Sequence, residues 1–253
     1  MINKNFHSGF VTVIGRPNVG KSTLLNALIG EKISIISNKP QTTRNQIQII
    51  YSDDRMQVVF LDTPGVQMPK NELGEQMLRM SGNALDGVDL CLFLMEPSDY
   101  IGKLDSKIIE KLKGMKTPII QVINKMDSID ESEAEALKQN ENIKLFDEIV
   151  FISAKEEDNL QELLDLIYKY LPEGPMYYPT DMITDRSERF VVSEIIREKC
   201  LNNMHDEIPH GIFVDIDKMH EREDRPIYDI IATIYVEKES HKGMVIGKGG
   251  SML

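Results

Sequence analysis

The 253-residue sequence predicts a doubly wound, mostly parallel six-stranded α/β domain followed by a smaller α+β domain. Three observations carry this. From Phe10 to Leu171 short apolar runs alternate with segments of helical period, the pattern of repeated strand–helix–strand units. Pro172-Glu173-Gly174-Pro175 then breaks the alternation with residues that end helices and open linkers. Beyond it, one helical stretch precedes two strictly alternating runs, a different arrangement with its own core. The expected boundaries are 1–172 for the first domain, 173–185 for a linker and 186–253 for the second.

The first strand, Phe10 to Ile14, runs into Gly15-Arg16-Pro17-Asn18-Val19-Gly20-Lys21-Ser22-Thr23, and Leu24 to Leu28 continues as a helix. Glycines at such a strand-to-helix turn let successive backbone N–H groups point inward and add to the helix dipole, which makes a phosphate-binding loop. Gly15, Asn18, Val19, Gly20, Lys21, Ser22 and Thr23 are the candidate nucleotide-binding residues of this loop. Lys21 has the reach and charge to meet the β- and γ-phosphates during phosphoryl transfer, and the Ser22 hydroxyl can coordinate Mg²⁺. The loop alone specifies neither base nor reaction.

Glu31 to Asn45 is polar and interrupted by Pro40. It reads as a surface loop or, after a phosphate loop, as a mobile switch whose Thr43, favoured over Thr42, completes the Mg²⁺ shell when a γ-phosphate is present. Strands at Gln46 to Tyr51 and Met56 to Leu61 follow, and the second delivers Asp62-Thr63-Pro64-Gly65. A carboxylate ending a buried strand needs a cation or donor, so Asp62 is expected in the outer shell of Mg²⁺. Gly65 lets the backbone approach the γ-phosphate, giving it a place in the catalytic set beside Lys21 and Thr43.

Leu90 to Met95 is apolar at every position, as expected of a strand covered on both faces. A helix is expected over Ile101 to Lys113 and another buried strand over Pro118 to Ile123. That strand ends in Asn124-Lys125-Met126-Asp127, either a polar loop with an Asn cap or, from its place in the alternation, a base-recognition loop. In the second reading Asp127 accepts from guanine N1 and its exocyclic amine, Asn124 braces the loop, and the Lys125 stem covers the base. Adenine offers neither donor and would leave a desolvated carboxylate unpaired. A last strand, Glu148 to Ile152, leads into Ser153-Ala154-Lys155, where the Ala154 N–H suits guanine O6. Asn159 to Leu171 closes the domain as a helix with Leu160, Leu163, Leu164, Ile167 and Leu171 on its core stripe. The acidic run Asp130 to Glu135 reads as a solvated helix start.

Composition sets limits on partners. The formal net charge of −12 excludes binding of nucleic acid by bulk charge, so any RNA contact needs a local basic face. Cys91 and Cys200 sit in apolar segments and read as core, not as a disulfide or metal site. Neither a signal-type apolar core nor a run approaching the ~20 residues of a membrane span occurs, so a cytoplasmic protein, at most peripheral to the inner face of the membrane, is expected.

Gly15 to Ser22, Thr43, Asp62 to Gly65, Asn124 to Asp127 and Ser153 to Lys155 together resemble the translation-factor-related GTPases over about two-thirds of the chain. The resemblance implies GTP and GDP as ligands, Mg²⁺ as cofactor and hydrolysis of GTP. Val66 stands where Ras-like proteins carry a water-orienting glutamine, and a valine cannot hydrogen-bond to water. In the subgroup with a hydrophobic residue there, an Asn in the place of Asn18 helps hold K⁺. Hydrolysis faster in K⁺ than in Na⁺ is therefore expected.

In the second domain Phe190, Val191, Ile195, Cys200, Leu201 and Met204 have helical spacing. Ile212, Val214 and Ile216, then Ile230, Ala232, Ile234 and Val236, predict a hairpin with a long loop at Lys218 to Pro226. Gly243 to Gly250 follows, and its Gly247-Lys248-Gly249-Gly250 alone reads more readily as a turn than as a binding loop. Placed after a helix and two strands it resembles the Gly-x-x-Gly loop of a type II KH domain, which grips four single-stranded nucleotides. In that case Lys248 meets a phosphate, and Val245 and Ile246 line the base-facing groove. A type II KH domain has a further helix and a third strand after the loop, so either this sequence is a fragment or its last domain is expected not to complete its sheet and groove.

A GTPase domain followed by a type II KH domain resembles the Era family. Pro179, Asp181, Thr184-Asp185, Arg189-Phe190, Glu194 and Ile196-Arg197-Glu198-Lys199 strengthen the match. The resemblance implies a monomer that binds 16S ribosomal RNA near its 3′ end, acts in assembly of the small ribosomal subunit and associates peripherally with the membrane. The alternatives are a related GTPase of large-subunit assembly or tRNA modification, and a non-hydrolysing RNA-binding module.

Overall fold

The structure, a computed structural model, describes residues 5–36, 47–62, 87–203 and 211–252. Thr42, Thr43, Gly65, Val66 and Met204 lie outside the described residues. The chain divides into two compact units, Met1–Ser34 with Thr43–Asp185 and Ile35–Thr42 with Arg186–Leu253.

The first unit is built on strands β1 (His7–Gly15), β2 (Ile47–Ser52), β3 (Met56–Asp62), β4 (Leu90–Met95), β5 (Ile119–Ile123) and β6 (Glu148–Phe151). They form one sheet in the order β2-β3-β1-β4-β5-β6. Only the β2–β3 pair is antiparallel; the remaining pairs are parallel. Helices α1 (Lys21–Ile29), α2 (Lys103–Leu112), α3 (Glu131–Gln139) and α4 (Leu160–Tyr170) complete the described part of the unit. Every residue of β4 is buried, which accounts for its unbroken apolar sequence between helix-covered faces. Leu163, Leu164, Ile167 and Leu171 are buried as the stripe predicts, while Leu160 stays partly exposed at the start of α4.

Strand register brings the ends that matter to one side. Val13 lies opposite Asp62, Gly15 opposite Leu94, Met95 opposite Ile123, and Ile123 opposite Phe151. The loops carrying the candidate residues therefore leave the same edge of the sheet. β1 sits between β3 and β4, where the direction of winding changes, and parallel α/β sheets open a crevice for ligands at such a point.

Two local features exceed what the sequence suggested. The expected linker is packed along the first unit: fully buried Gln57 accepts from the N–H groups of Tyr177 (2.7 Å) and Tyr178 (2.9 Å) and donates to the Tyr178 carbonyl (2.9 Å). The Ile50 N–H donates to the Ile183 carbonyl at 3.0 Å and the Thr184 hydroxyl to the Gln48 carbonyl at 2.9 Å, so edge strand β2 is covered. Likewise, the stretch after α1 does not begin as a free loop. Asn26 accepts from the N–H groups of Ile33 (3.0 Å) and Ser34 (2.9 Å) and donates to the Ser34 carbonyl (2.7 Å), with Ile33 buried.

The acidic run is a solvated helix start, made specific by a capping box. Asp130 accepts from the Glu133 N–H, and the Glu133 carboxylate accepts from the Asp130 N–H. Asp130→Ala is expected to cost about 1 kcal/mol, lowering the first unit's thermal midpoint by about 3 °C in a calorimetric scan.

The second unit contains α5 (Glu188–Asn203), β7 (Ile212–Glu221), β8 (Tyr228–Val236) and α6 (Glu239–Ile246). The hairpin loop is shorter than expected. Lys218 to Glu221 stay paired with Tyr228 to Ile231, past a register shift between Ile216 and Lys218 that absorbs Asp217. Ile212, Val214 and Ile216 form the core with Val245, and α5 packs Val192, Ile196 and Cys200 against it. The predicted stripe through Phe190, Val191 and Ile195 is therefore rotated from the stripe that faces the hairpin. The reason lies on the buried polar side of α5. Arg197 donates from Nε and Nη2 to Glu194 at 2.8 and 2.6 Å, and buried Glu198 accepts from the Ile36 N–H at 3.1 Å. Paired charges can be buried where unpaired ones cannot, and apolar spacing alone does not register them. Among the described residues no helix is long and apolar enough to cross a membrane.

Candidate nucleotide site

The phosphate loop is shaped by backbone conformations that few residues adopt. Asn18 has φ 66° and Gly20 φ 97°. A Cβ on Gly20 would lie 2.2 Å from the Asn124 amide nitrogen, so only glycine lets the phosphate loop meet the base-recognition loop this closely. Gly15 and Val19 are buried, Asn18 is exposed, and Ser22 and Thr23 are half-buried in the first turn of α1. The Leu24 N–H closes that turn onto the Gly20 carbonyl at 2.9 Å. Lys21 is only 8% exposed; its ammonium donates to the carbonyls of Gly15 (3.2 Å) and Arg16 (2.9 Å), so the charge is held inside the curl of the loop.

Asn124, 2% exposed, ties three segments of chain together. Its amide donates to the Val19 carbonyl at 2.8 Å, its carbonyl oxygen accepts from the Ala154 N–H at 2.9 Å, and its own N–H donates to the Met95 carbonyl at 2.8 Å. Ala154 thus already has a partner within the chain. The N–H expected to serve guanine O6 is engaged by Asn124, so it reaches a base only by sharing or exchanging that bond.

Asp127 stands in the 3-10 turn Met126–Ser128, which Lys125 enters with φ 69°. One carboxylate oxygen accepts from the Ser153 hydroxyl at 2.6 Å, and the other lies 3.8 Å from the Lys155 ammonium. The Ser153 bond orients the carboxylate and leaves lone pairs on both oxygens for other donors. Lys155 is exposed, and its pKa is raised mainly by its hydrogen bond to Glu156, with a smaller contribution from Asp127. Asp62 ends β3 beside Val13 of β1, two residues before Gly15.

Three residues that sequence reasoning passed over adjoin this site. Arg16 pairs through Nη2 with Glu96 (3.2 Å) and through Nε with Asp105 (2.9 Å), while the Lys125 ammonium pairs with the other oxygen of Glu96. Asp105 is buried on α2, and burial raises its pKa, an effect that the Arg16 charge partly offsets. Only its position, an acidic residue in the first turn of α2, was legible, and that reads as an ordinary dipole contact.

Cys91 is fully buried and burial pushes its thiol up to about 12; Cys200 is half-buried with its pKa also raised by burial. Both are core thiols. In the second unit the Gly247-Lys248-Gly249-Gly250 loop follows α6 with φ of 73°, 67° and 81° at its three glycines and an exposed Lys248. Val245, expected in a base-facing groove, is 6% exposed and packs into the core with Ile212, Val214 and Ile216, because it projects from the inner side of α6. Ile246 is 38% exposed and remains available.

Comparison with known proteins agrees with this division. A family model described as a 50S ribosome-binding GTPase matches residues 10–125, and one described as a KH domain matches residues 207–253. The GTPase Era of Clostridioides difficile (strain 630) is 52% identical over 250 residues, covering 98% of this chain and 84% of that protein. The GTPase Era of Clostridium kluyveri (strain NBRC 12016) is 53% identical over 247 residues, 97% of this chain and 84% of its own length. Among solved structures, Era in complex with MgGDPNP and nucleotides 1506-1542 of 16S ribosomal RNA superposes with a TM-score of 0.89 at 38% identity, covering 98% of this chain and 84% of that one. A single-residue variant of Aquifex aeolicus Era bound to GDP.AlF4- gives the same TM-score and identity over 98% and 85%. The first-domain model by itself leaves the kind of GTPase open; the KH match and relatives aligned along nearly the whole chain close it, and this chain belongs to the Era family of GTPases.

Proposed function

We propose that this chain is a GTP-hydrolysing switch that binds the 3′-terminal region of 16S ribosomal RNA through its second unit and acts in assembly of the small ribosomal subunit. The observation that carries the nucleotide part is the three-way tie at Asn124. It joins the phosphate loop at Val19 and the Ala154 loop at one end of the parallel strands, beside an Asp127 oriented by Ser153.

The residues fit Mg²⁺ and a guanine nucleotide. Among the described residues no group of three His, Cys, Asp or Glu could hold a metal ion. Mg²⁺ does not need one, since it binds through one or two protein oxygens, substrate phosphates and retained waters. Ser22 at the start of α1 supplies one such oxygen and Thr43 a second, with Asp62 holding a water of the outer shell. Mg²⁺ held there would supply neutralising charge for the phosphates. Lys21 keeps a buried positive charge where phosphoryl charge develops, and the N–H groups of the loop from Gly15 to Thr23 add fixed dipoles at no reorganisation cost. Asp127 selects guanine through N1 and the exocyclic amine, the Lys125 stem covers the base, and Gly65 senses the γ-phosphate. The same reading gives Asn18, exposed at φ 66°, the role of helping to hold K⁺ in support of that charge.

For RNA, the exposed Lys248 on a tight glycine turn supplies a cation and backbone N–H groups for phosphates, with Ile246 beside it, and the Era relative solved with 16S nucleotides supports the same target here. A ribosomal partner places the protein in the cytoplasm. The domain boundaries proposed are 1–172, 173–185 and 186–253, with 173–185 carried on the first unit.

The test is binding of this chain to a 3′-terminal 16S oligonucleotide with GDPNP or GDP bound, beside an unrelated RNA of equal length. Selective binding in one nucleotide state supports the switch. Equal affinity for both RNAs would overturn the RNA part, and failure of the chain to bind GTP more tightly than ATP in calorimetry would overturn the nucleotide part. GTP turnover is expected to be several-fold faster in K⁺ than in Na⁺, measured as phosphate release at matched ionic strength.

A further inference from the structure

Glu96 follows β4 directly, and its two oxygens face in two directions. One pairs with the Lys125 ammonium in the base-recognition loop, the other with the Arg16 guanidinium in the phosphate loop. Arg16 is fixed from its other side by Asp105 of α2, buried at 3% exposure. The Arg16 carbonyl in turn accepts a hydrogen bond from the Lys21 ammonium. Glu96 thus joins, through one carboxylate, the residue whose stem covers the base and the residue whose backbone anchors the phosphate-binding lysine.

We propose that Glu96 is a positioning residue for guanine-nucleotide binding: its carboxylate holds Lys125 and Arg16 together, fixes the base-recognition loop against the phosphate loop, and sets how long the nucleotide stays bound. The proposal rests on the nucleotide reading given above and deepens it.

The competing view is that these are ordinary half-exposed ion pairs, since Glu96, Arg16 and Lys125 side chains are 34%, 31% and 38% exposed. Isolated pairs of that kind contribute little to stability. Two features separate this cluster from an isolated pair. It is a chain of four charges, Lys125, Glu96, Arg16 and Asp105, closed at one end by a buried carboxylate, so Arg16 has little freedom to swing away. Moreover, its members belong to two loops that must act on one ligand, so its effect falls on preorganisation for binding more than on folding. The Asn124 amide ties the same two loops through the Val19 backbone; Glu96 adds a second tie, between their side chains.

Release of ribose-labelled fluorescent GDP, followed by stopped flow on this chain, tests the proposal. Glu96→Gln keeps the shape and removes the charge. Its release rate is expected to rise about ten-fold, with the association rate within about two-fold and the thermal midpoint of the nucleotide-free protein unchanged, because exposed pairs add little to folding. Glu96→Asp, too short to reach both cations, is expected to fall between wild type and Gln. In a Lys125→Met background, Glu96→Gln is expected to change release by no more than about two-fold, as coupling through that lysine requires. A release rate for Glu96→Gln within two-fold of wild type, slower release, or a full ten-fold effect surviving in the Lys125→Met background would each overturn the positioning role. Absence of GDP binding by the wild-type chain would instead remove the nucleotide reading itself.

Discussion

Asp127→Asn is expected to weaken GDP binding at least about a hundred-fold, close to 3 kcal/mol. The carboxylate offers two acceptors to the two donors on one edge of guanine, N1–H and the exocyclic amine. An amide keeps one acceptor and turns a donor toward a donor, leaving buried groups unpaired at about 1–3 kcal/mol each. The change is local, because the Asn oxygen can still accept from the Ser153 hydroxyl that orients Asp127 at 2.6 Å. Xanthine carries a carbonyl where guanine carries the amine, so the variant is expected to prefer xanthosine diphosphate to GDP. Calorimetric titration of both diphosphates against wild type and variant decides it. Undiminished guanine preference in the variant would mean that base choice lies elsewhere in the chain.

Lys21→Met is expected to reduce GTP hydrolysis at saturating nucleotide by about a thousand-fold, or some 4 kcal/mol of transition-state stabilisation. The side chain is buried, so its charge acts in a poorly screened setting; methionine keeps most of the stem and none of the charge. The substitution also strips the Gly15 and Arg16 carbonyls of a shared donor, so the loop is expected to loosen and the thermal midpoint to fall by a few degrees. Single-turnover phosphate release, beside a melting curve on the same sample, separates the two effects. Hydrolysis within ten-fold of wild type would place the main charge stabilisation on another group.

The fold of the first unit was legible because its signal is redundant. Leu90 to Met95 reads as a covered strand from composition alone, and its observed bounds are Leu90–Met95. The loop from Gly15 to Ser22 is bound to its strand and helix by adjacency, so local sequence suffices to place it at a turn. The second unit was harder to read. There α5 buries Glu194, Arg197 and Glu198, and an apolar stripe cannot predict a buried face made of paired charges. Val245 was assigned to a groove from its neighbours in sequence, yet the turn of α6 carries it into the core while Ile246 faces out.

By itself, the sequence determined the strand and helix pattern, the glycine-built turn before the first helix and the carboxylate proposed to choose the base, since each depends on residue type within a few positions. Only the tertiary structure decided which partners those residues take. The Ala154 N–H goes to Asn124, Arg16 is shared between Glu96 and Asp105, Gln57 fastens the segment after the first domain, and none of these pairings is local in sequence. The physical reason is that a buried polar group must find a partner wherever the chain brings one, and parallel strand order brings together loops far apart in sequence.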